Sequence, residues 1–161
     1  MKIVNKTLTV PDQIRFKLNS LDLSILESRG IPFLSDADVF TPLPTLIITG
    51  DYLRFGVLDT MDYLAIKLSS HHIVRIIDAN DAAPEIFVNS SLLQYVQTFT
   101  QFARDLPYNP DGAWDNIESL ARSANKLRSL VKNIDPKAIE SGTYWSEVCD
   151  DITVGNWSEQ R

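Results

Sequence analysis

Ile86-Phe87-Val88-Asn89-Ser90-Ser91-Leu92-Leu93-Gln94-Tyr95-Val96-Gln97-Thr98-Phe99-Thr100-Gln101-Phe102 is the stretch whose reading decides the fold. Ile86 to Asn89 is a short apolar run suited to the end of a strand. After Ser90-Ser91, the residues Leu92, Val96, Phe99 and Ala103 recur at helical spacing, and Tyr95 and Phe102 widen the same stripe. Ser91 followed three residues later by Gln94 has the form of a capping box, in which a hydroxyl satisfies an orphan amide of the first turn and the side-chain amide reaches back. A strand that hands over directly to an apolar-faced helix requires a sheet on which that helix can lie.

The sheet is supplied upstream. Leu46-Ile47-Ile48-Thr49 is an unbroken apolar run of the kind found at a sheet centre covered on both faces. Tyr52 to Val57 alternates, with Leu53, Phe55 and Val57 on one side. Tyr63 to Leu68 places Leu64, Ile66 and Leu68 on one face and Tyr63 and Lys67 on the other. Ile73 to Ile77 is β-branched, and Glu85 to Val88 returns as the last strand. Short polar turns join these runs, so the series predicts an antiparallel meander.

Before the meander, Ile3 and Val4 fit a short edge strand or a loose arm. Phe16, Leu18, Leu21, Ile25 and Leu26 can share one helical face that ends at Arg29-Gly30, with Gly30 suited to a positive φ. Residues 31–44, with Pro32, Pro42 and Pro44, form a long extended connection pinned by Phe33, Leu34, Val39 and Phe40. After the central helix, a second long helix is expected from about Trp114 to Asn133, burying Ile117, Leu120, Ala121, Ala124, Leu127 and Val131. A last short helix around Tyr144 to Ile152 docks through Trp145, Val148 and Ile152. The expected architecture is α+β over residues 1–161: one domain with an antiparallel sheet of about five to six strands and helices packed against it.

The chain has 161 residues and a formal net charge of −6. That balance argues against a phosphate-binding basic surface, and so against nucleic acid, and suits a basic protein partner. No apolar run is long enough to span a membrane and Met1 to Gln13 lacks a signal-peptide core, so a cytoplasmic home is expected. Cys149 is the single cysteine, expected on the inner side of the last helix. His71-His72 point to different sides of a turn, which makes a poor metal pair. Asn89-Ser90-Ser91 matches a glycosylation pattern but is expected to act as turn and cap. Six scattered glycines form no phosphate cradle. The carboxylate pairs Asp59/Asp62, Asp78/Asp81 and Asp150/Asp151 fall in turns. No catalytic residue, cofactor site or metal site is expected; binding is.

The order of parts resembles one known superfamily. A helix ends in Gly30-Ile31-Pro32 and a proline-broken connection follows. Then come Tyr52-Leu53-Arg54-Phe55-Gly56, Tyr63-Leu64-Ala65-Ile66-Lys67-Leu68, Ile73-Val74-Arg75-Ile76-Ile77-Asp78 and the joint Phe87-Val88-Asn89-Ser90-Ser91-Leu92. Over roughly residues 20 to 155 this resembles the SUKH superfamily, and the joint resembles its fourth family most. In the family several glycines and acidic residues often follow the strand holding Gly56; here Val57-Leu58-Asp59-Thr60 follows. The resemblance implies a bacterial immunity protein that binds a secreted polymorphic toxin, of nuclease or deaminase class, and occludes it. Eukaryotic relatives imply the alternative, a non-catalytic regulatory scaffold. The expected partner is a basic protein toxin, with no nucleic acid or membrane, and the chain itself is a monomer or weak homodimer. Asp59, Asp62, Asp78 and Asp81 are the expected toxin contacts, with Tyr52 and Tyr63 as anchors.

Overall fold

A computed structural model describes residues 2–35, 39–59, 62–77, 84–108 and 116–157, without the side chain of Asp59. The fold is α+β. Strands β1 (Ile3–Lys6) and β2 (Ile31–Leu34) pair antiparallel as a separate two-stranded sheet. Strands β3 (Thr41–Thr49), β4 (Tyr52–Asp59), β5 (Asp62–Lys67), β6 (Ile73–Ile77) and β7 (Glu85–Asn89) follow one another across a five-stranded antiparallel meander. Helices α1 (Asp12–Arg15) and α2 (Ser20–Ser24) precede β2; α3 (Leu92–Arg104), α4 (Ile117–Ile134) and α5 (Tyr144–Thr153) follow β7.

One face of the meander meets the helices. Leu53, Phe55, Leu64, Ile66, Ile73 and Val88 from the strands join Tyr95, Phe99 and Phe102 of α3 and Trp145, Val148, Cys149 and Ile152 of α5 in one core. Edge-on aromatic pairs stitch its centre: Phe40 lies 5.7 Å from Phe99, 6.0 Å from Phe55 and 6.0 Å from Tyr95. Leu120, Ala124, Leu127 and Val131 form the buried stripe of α4, as their spacing requires. Ile117, in the first turn of α4, was expected in that stripe but stands 74% exposed.

Three expectations fail for local reasons. The helix ending at Gly30 is not continuous: Asn19 caps a new start, its side chain accepting the Asp22 amide at 2.8 Å, so α2 begins out of phase with α1. Phe16 is left 80% exposed and Leu21 partly so, and Leu8, Val10, Ile14, Leu18, Ile25 and Leu26 take the buried places. Residues 31–44 are not one connection; they hold β2 and the start of β3. The apolar run Leu46–Thr49 lies on β3, the outermost strand of the sheet and not its centre, with Ile47 42% and Ile48 39% exposed.

Gly30 has φ +81°, and a Cβ there would sit 2.9 Å from the Lys6 carbonyl carbon, so only glycine lets β1 pass so closely. In β4 the ladder to β5 slips between Arg54 and Gly56. The slip turns Phe55 and Gly56 both toward the helices and moves Val57 to the side of Tyr63, opposite the face that simple alternation predicts. A Cβ on Gly56 would lie 1.8 Å from the Phe40 ring, which therefore rests on bare backbone.

Candidate functional site

The other face of the meander carries no helix among the described residues. Its floor is Ala65, Val74 and Ile76, a small apolar cluster with Tyr52 packed against it. Register places Tyr52 opposite Lys67, Arg54 opposite Ala65, Tyr63 opposite Ile76, and Ile76 opposite Glu85. These residues therefore share the open face, as β-alternation demands. Ala65 and Val74 are almost fully covered, so the long side chains lying across the floor keep water from it.

Those side chains hold one another. The Tyr52 hydroxyl donates to Glu85 Oε2 at 2.8 Å, and Lys67 Nζ reaches both Glu85 oxygens at 2.8 and 3.1 Å. Lys67 Nζ also stands 5.9 Å from the Tyr52 ring centre, and the Arg54 guanidinium stacks 4.5 Å from that of Tyr63. The bond to Glu85 raises both the Tyr52 phenol and the Lys67 ammonium above their ordinary values. Burial pulls the Glu85 carboxyl up, but the bonds from Lys67 and Tyr52 outweigh it and leave Glu85 below its ordinary range. At neutral pH the triad is thus an anion held by a cation and a phenol. Farther along, His72 stands edge-on to Phe87 at 5.3 Å and Lys137 Nζ lies 4.6 Å over the same ring. His71 parts from its neighbour and meets the buried Asp22, Nδ1 to Oδ2 at 3.5 Å.

Of the expected contact residues, Tyr52 and Tyr63 are brought to one face. Asp62 is not the turn acid it was expected to be. It opens β5, is buried, and its carboxylate accepts Arg75 Nε at 2.8 Å as well as Arg75 Nη2. Arg75 is shared with Glu147 of α5 at 3.6 Å. Asp62, Arg75, Tyr144 and Glu147 border a cleft of about 190 Å³ on the helix side. The Asp59 side chain, Asp78 and Asp81 lie outside the described residues. Asp59, Asp62 and Ile77 are aligned across β4, β5 and β6 at one end of the sheet. Sequence reading missed Arg54, Glu85 and Arg75; the period-two placement of Lys67 beside Tyr63 was the available signal for the open face.

The joint at residues 87–92 has a second half that sequence reading also missed. Asn89 is fully buried, not a surface turn residue. Its Oδ1 accepts the Trp145 indole N–H at 2.9 Å, and its Nδ2 donates to Asp135 Oδ2 at 3.2 Å. The same carboxylate accepts the Ser90 amide at 2.6 Å and the Ser90 hydroxyl at 2.9 Å. Ser91 accepts the Gln94 amide at 3.3 Å as a cap should; the Gln94 side chain reaches back, its Oε1 accepting the Ser91 hydroxyl at 2.8 Å, while its Nε2 donates to the Ile134 carbonyl at 3.0 Å. β7, α3, α4 and α5 thus meet at one polar node.

The family model described as SUKH-4 immunity protein matches residues 15–151. The chain belongs to the SUKH-4 immunity protein family. No curated protein and no solved structure matches it. Among the described residues of this SUKH-4 chain, no helix is long and apolar enough to cross a membrane.

Proposed function

We propose that this SUKH-4 protein neutralises a cognate secreted toxin, of nuclease or deaminase class, by binding over its active site. The observation that carries the reading is the open sheet face. Two tyrosines, an arginine and a lysine lie pre-ordered over an apolar floor with no described helix upon them. Aromatic residues and arginine are the side chains that dominate interface energetics, and holding them in place before contact lowers the entropy cost of binding. Tyr52 and Tyr63 are the anchors. Asp59, Asp78 and Asp81 are proposed as further toxin contacts, whereas Asp62, bound to Arg75 on the helix side, is not part of the docking face. With a net charge of −6, the chain steers toward a basic toxin surface of the kind that grips phosphates. No step of bond chemistry is asked of it.

The test is co-expression with the toxin encoded beside the gene, followed by affinity measurement. Tyr52→Ala and Tyr63→Ala are each expected to weaken binding by at least about 1 kcal/mol without altering the circular dichroism. Full affinity and full protection from the double variant would overturn the docking face, and failure to capture any toxin would overturn the occlusion reading.

A further inference from the structure

The outer strand β3 is left unfinished in its second half. Natural sheets guard an outer strand with proline, charge, a bulge or a covering element. The first half of β3 has Pro42 and Pro44 and an irregular ladder to β4, and Lys6 Nζ reaches the Pro42 carbonyl at 3.5 Å. Thr45-Leu46-Ile47-Ile48-Thr49 has no proline and no charge, and past the irregular stretch, which ends at Ile47, it has no bulge. It pairs regularly with β4 through Ile47, Ile48 and Thr49, and nothing in the described chain lies beyond it in the sheet. Alternate residues of such a strand turn their amide and carbonyl outward, ready to bond another strand.

The residue order says which strand fits. Read backward, Thr-Leu-Ile-Ile-Thr becomes Thr-Ile-Ile-Leu-Thr. An antiparallel copy centred on Ile47 therefore sets Thr45 against Thr49, Leu46 against Ile48, and Ile47 against itself. All of these are favourable cross-strand pairs, and each pair lies on one face. The stretch is also uncharged in a chain of net charge −6. Two copies repel elsewhere but meet here without opposed charges, whereas a basic toxin gains nothing from its charge at this strand.

We propose that β3 pairs with β3 of a second copy about a two-fold axis at Ile47, joining two five-stranded sheets into one. Five residues of strand contact fall short of the roughly 800 Å² per partner of a standard stable interface, so the dimer is weak and forms as concentration rises. The pairing uses the sheet's edge, but Ile47 stands opposite Arg54 and shares the face of Tyr52 and Tyr63, so Tyr52→Ala and Tyr63→Ala, which leave β3 unchanged, are the variants that separate the toxin reading from the pairing.

Sedimentation velocity of the full chain, from low to high micromolar concentration, tests it. The expected result is a shift from monomer toward dimer that Ile47→Lys abolishes, since two like charges would then stand face to face. Ile47→Cys provides a second arm that keeps the side chain small and apolar. Opposed residues in an antiparallel pair bring Cα atoms to about 4.5–5.5 Å, within disulfide reach. Mild oxidation should therefore cross-link Ile47→Cys into a covalent dimer, and leave Phe16→Cys, on the exposed turn after α1, monomeric. A chain monomeric at every concentration, a dimer indifferent to Ile47→Lys, or cross-linking equal at both positions would each overturn the pairing.

Discussion

At the β7 edge of the sheet the chain runs straight into α3, and the last residue of the strand is tied to three helices. Asn89 takes the Trp145 indole N–H, and Asp135, at the end of α4, gathers Asn89 and Ser90. At the β3 edge the strand stops in a two-residue turn, Gly50-Asp51, and its isoleucines face water. The same kind of element, an outer strand, is finished by buried polar bonds on one side and left bare on the other. The contrast separates what holds the fold from what is available to partners. Buried polar bonds cluster at the closed edge, and the partly exposed Ile47 and Ile48 lie at the open one.

Asp135→Ala is the sharpest way to break that contrast. It removes the acceptor for the Ser90 amide, the Ser90 hydroxyl and the Asn89 amide in a buried setting. Unsatisfied buried donors cost about 1–3 kcal/mol each, less what relaxation recovers, so a loss of about 3 kcal/mol or more is expected in urea unfolding. A loss below about 1 kcal/mol would mean that the node does not close the edge. Gly56→Ala comes next and tests how β3 is fastened. Phe40, which leads into β3, lies on Gly56, and a methyl there must displace the ring from Phe55, Tyr95 and Phe99. Overpacking of this kind costs about 1–3 kcal/mol.

The two edges were also unequally legible. The joint at 86–102 could be read because its signals are local: an apolar run, a serine cap and a helical stripe. The meander was legible for the same reason, and so was the sharing of one face by Tyr63 and Lys67. The polar node was not, because Asn89 and Asp135 are 46 residues apart and neither has a local signature of burial. The run at 46–49 was misplaced because an apolar strand fits a covered centre and a bare edge equally well from composition, and only strand order distinguishes them. At the candidate site, Asp62 and Arg75 were unreadable as a pair because a diagonal across β5 and β6 depends on register. The bulge that moves Val57 was invisible too, since one extra residue changes the face but not the pattern before it.

The helix side responds to alkali as well. Burial raises the Cys149 thiol from 9.0 to about 11 and the Tyr144 phenol to about 12, and it also pushes the Tyr95 phenol well up. With folded values raised, the native state keeps protons that the unfolded chain releases. The contribution to stability is therefore complete below about pH 9 and is lost as the pH climbs toward about 11. Urea midpoints should hold steady up to about pH 9 and fall above it. Thiol labelling at neutral pH should be as slow as unfolding, because the free cysteine is buried and protonated. Fast labelling of the native chain would show that α5 opens on its own.

The smallest expected effect is the most informative about the open edge. Ile47→Lys exchanges an apolar side chain that is 42% exposed for one that can lay its methylenes along the strand and its ammonium in water. It breaks no described hydrogen bond and empties no core position, since Ile47 is absent from the buried cluster. In the monomer, stability should change by no more than about 0.5 kcal/mol, against the several lost at Asp135. A large loss would mean that Ile47 supports the sheet from within, and the two edges would no longer differ in kind. A change near zero, joined to loss of self-association, would locate the edge's value in what it binds and not in what it holds.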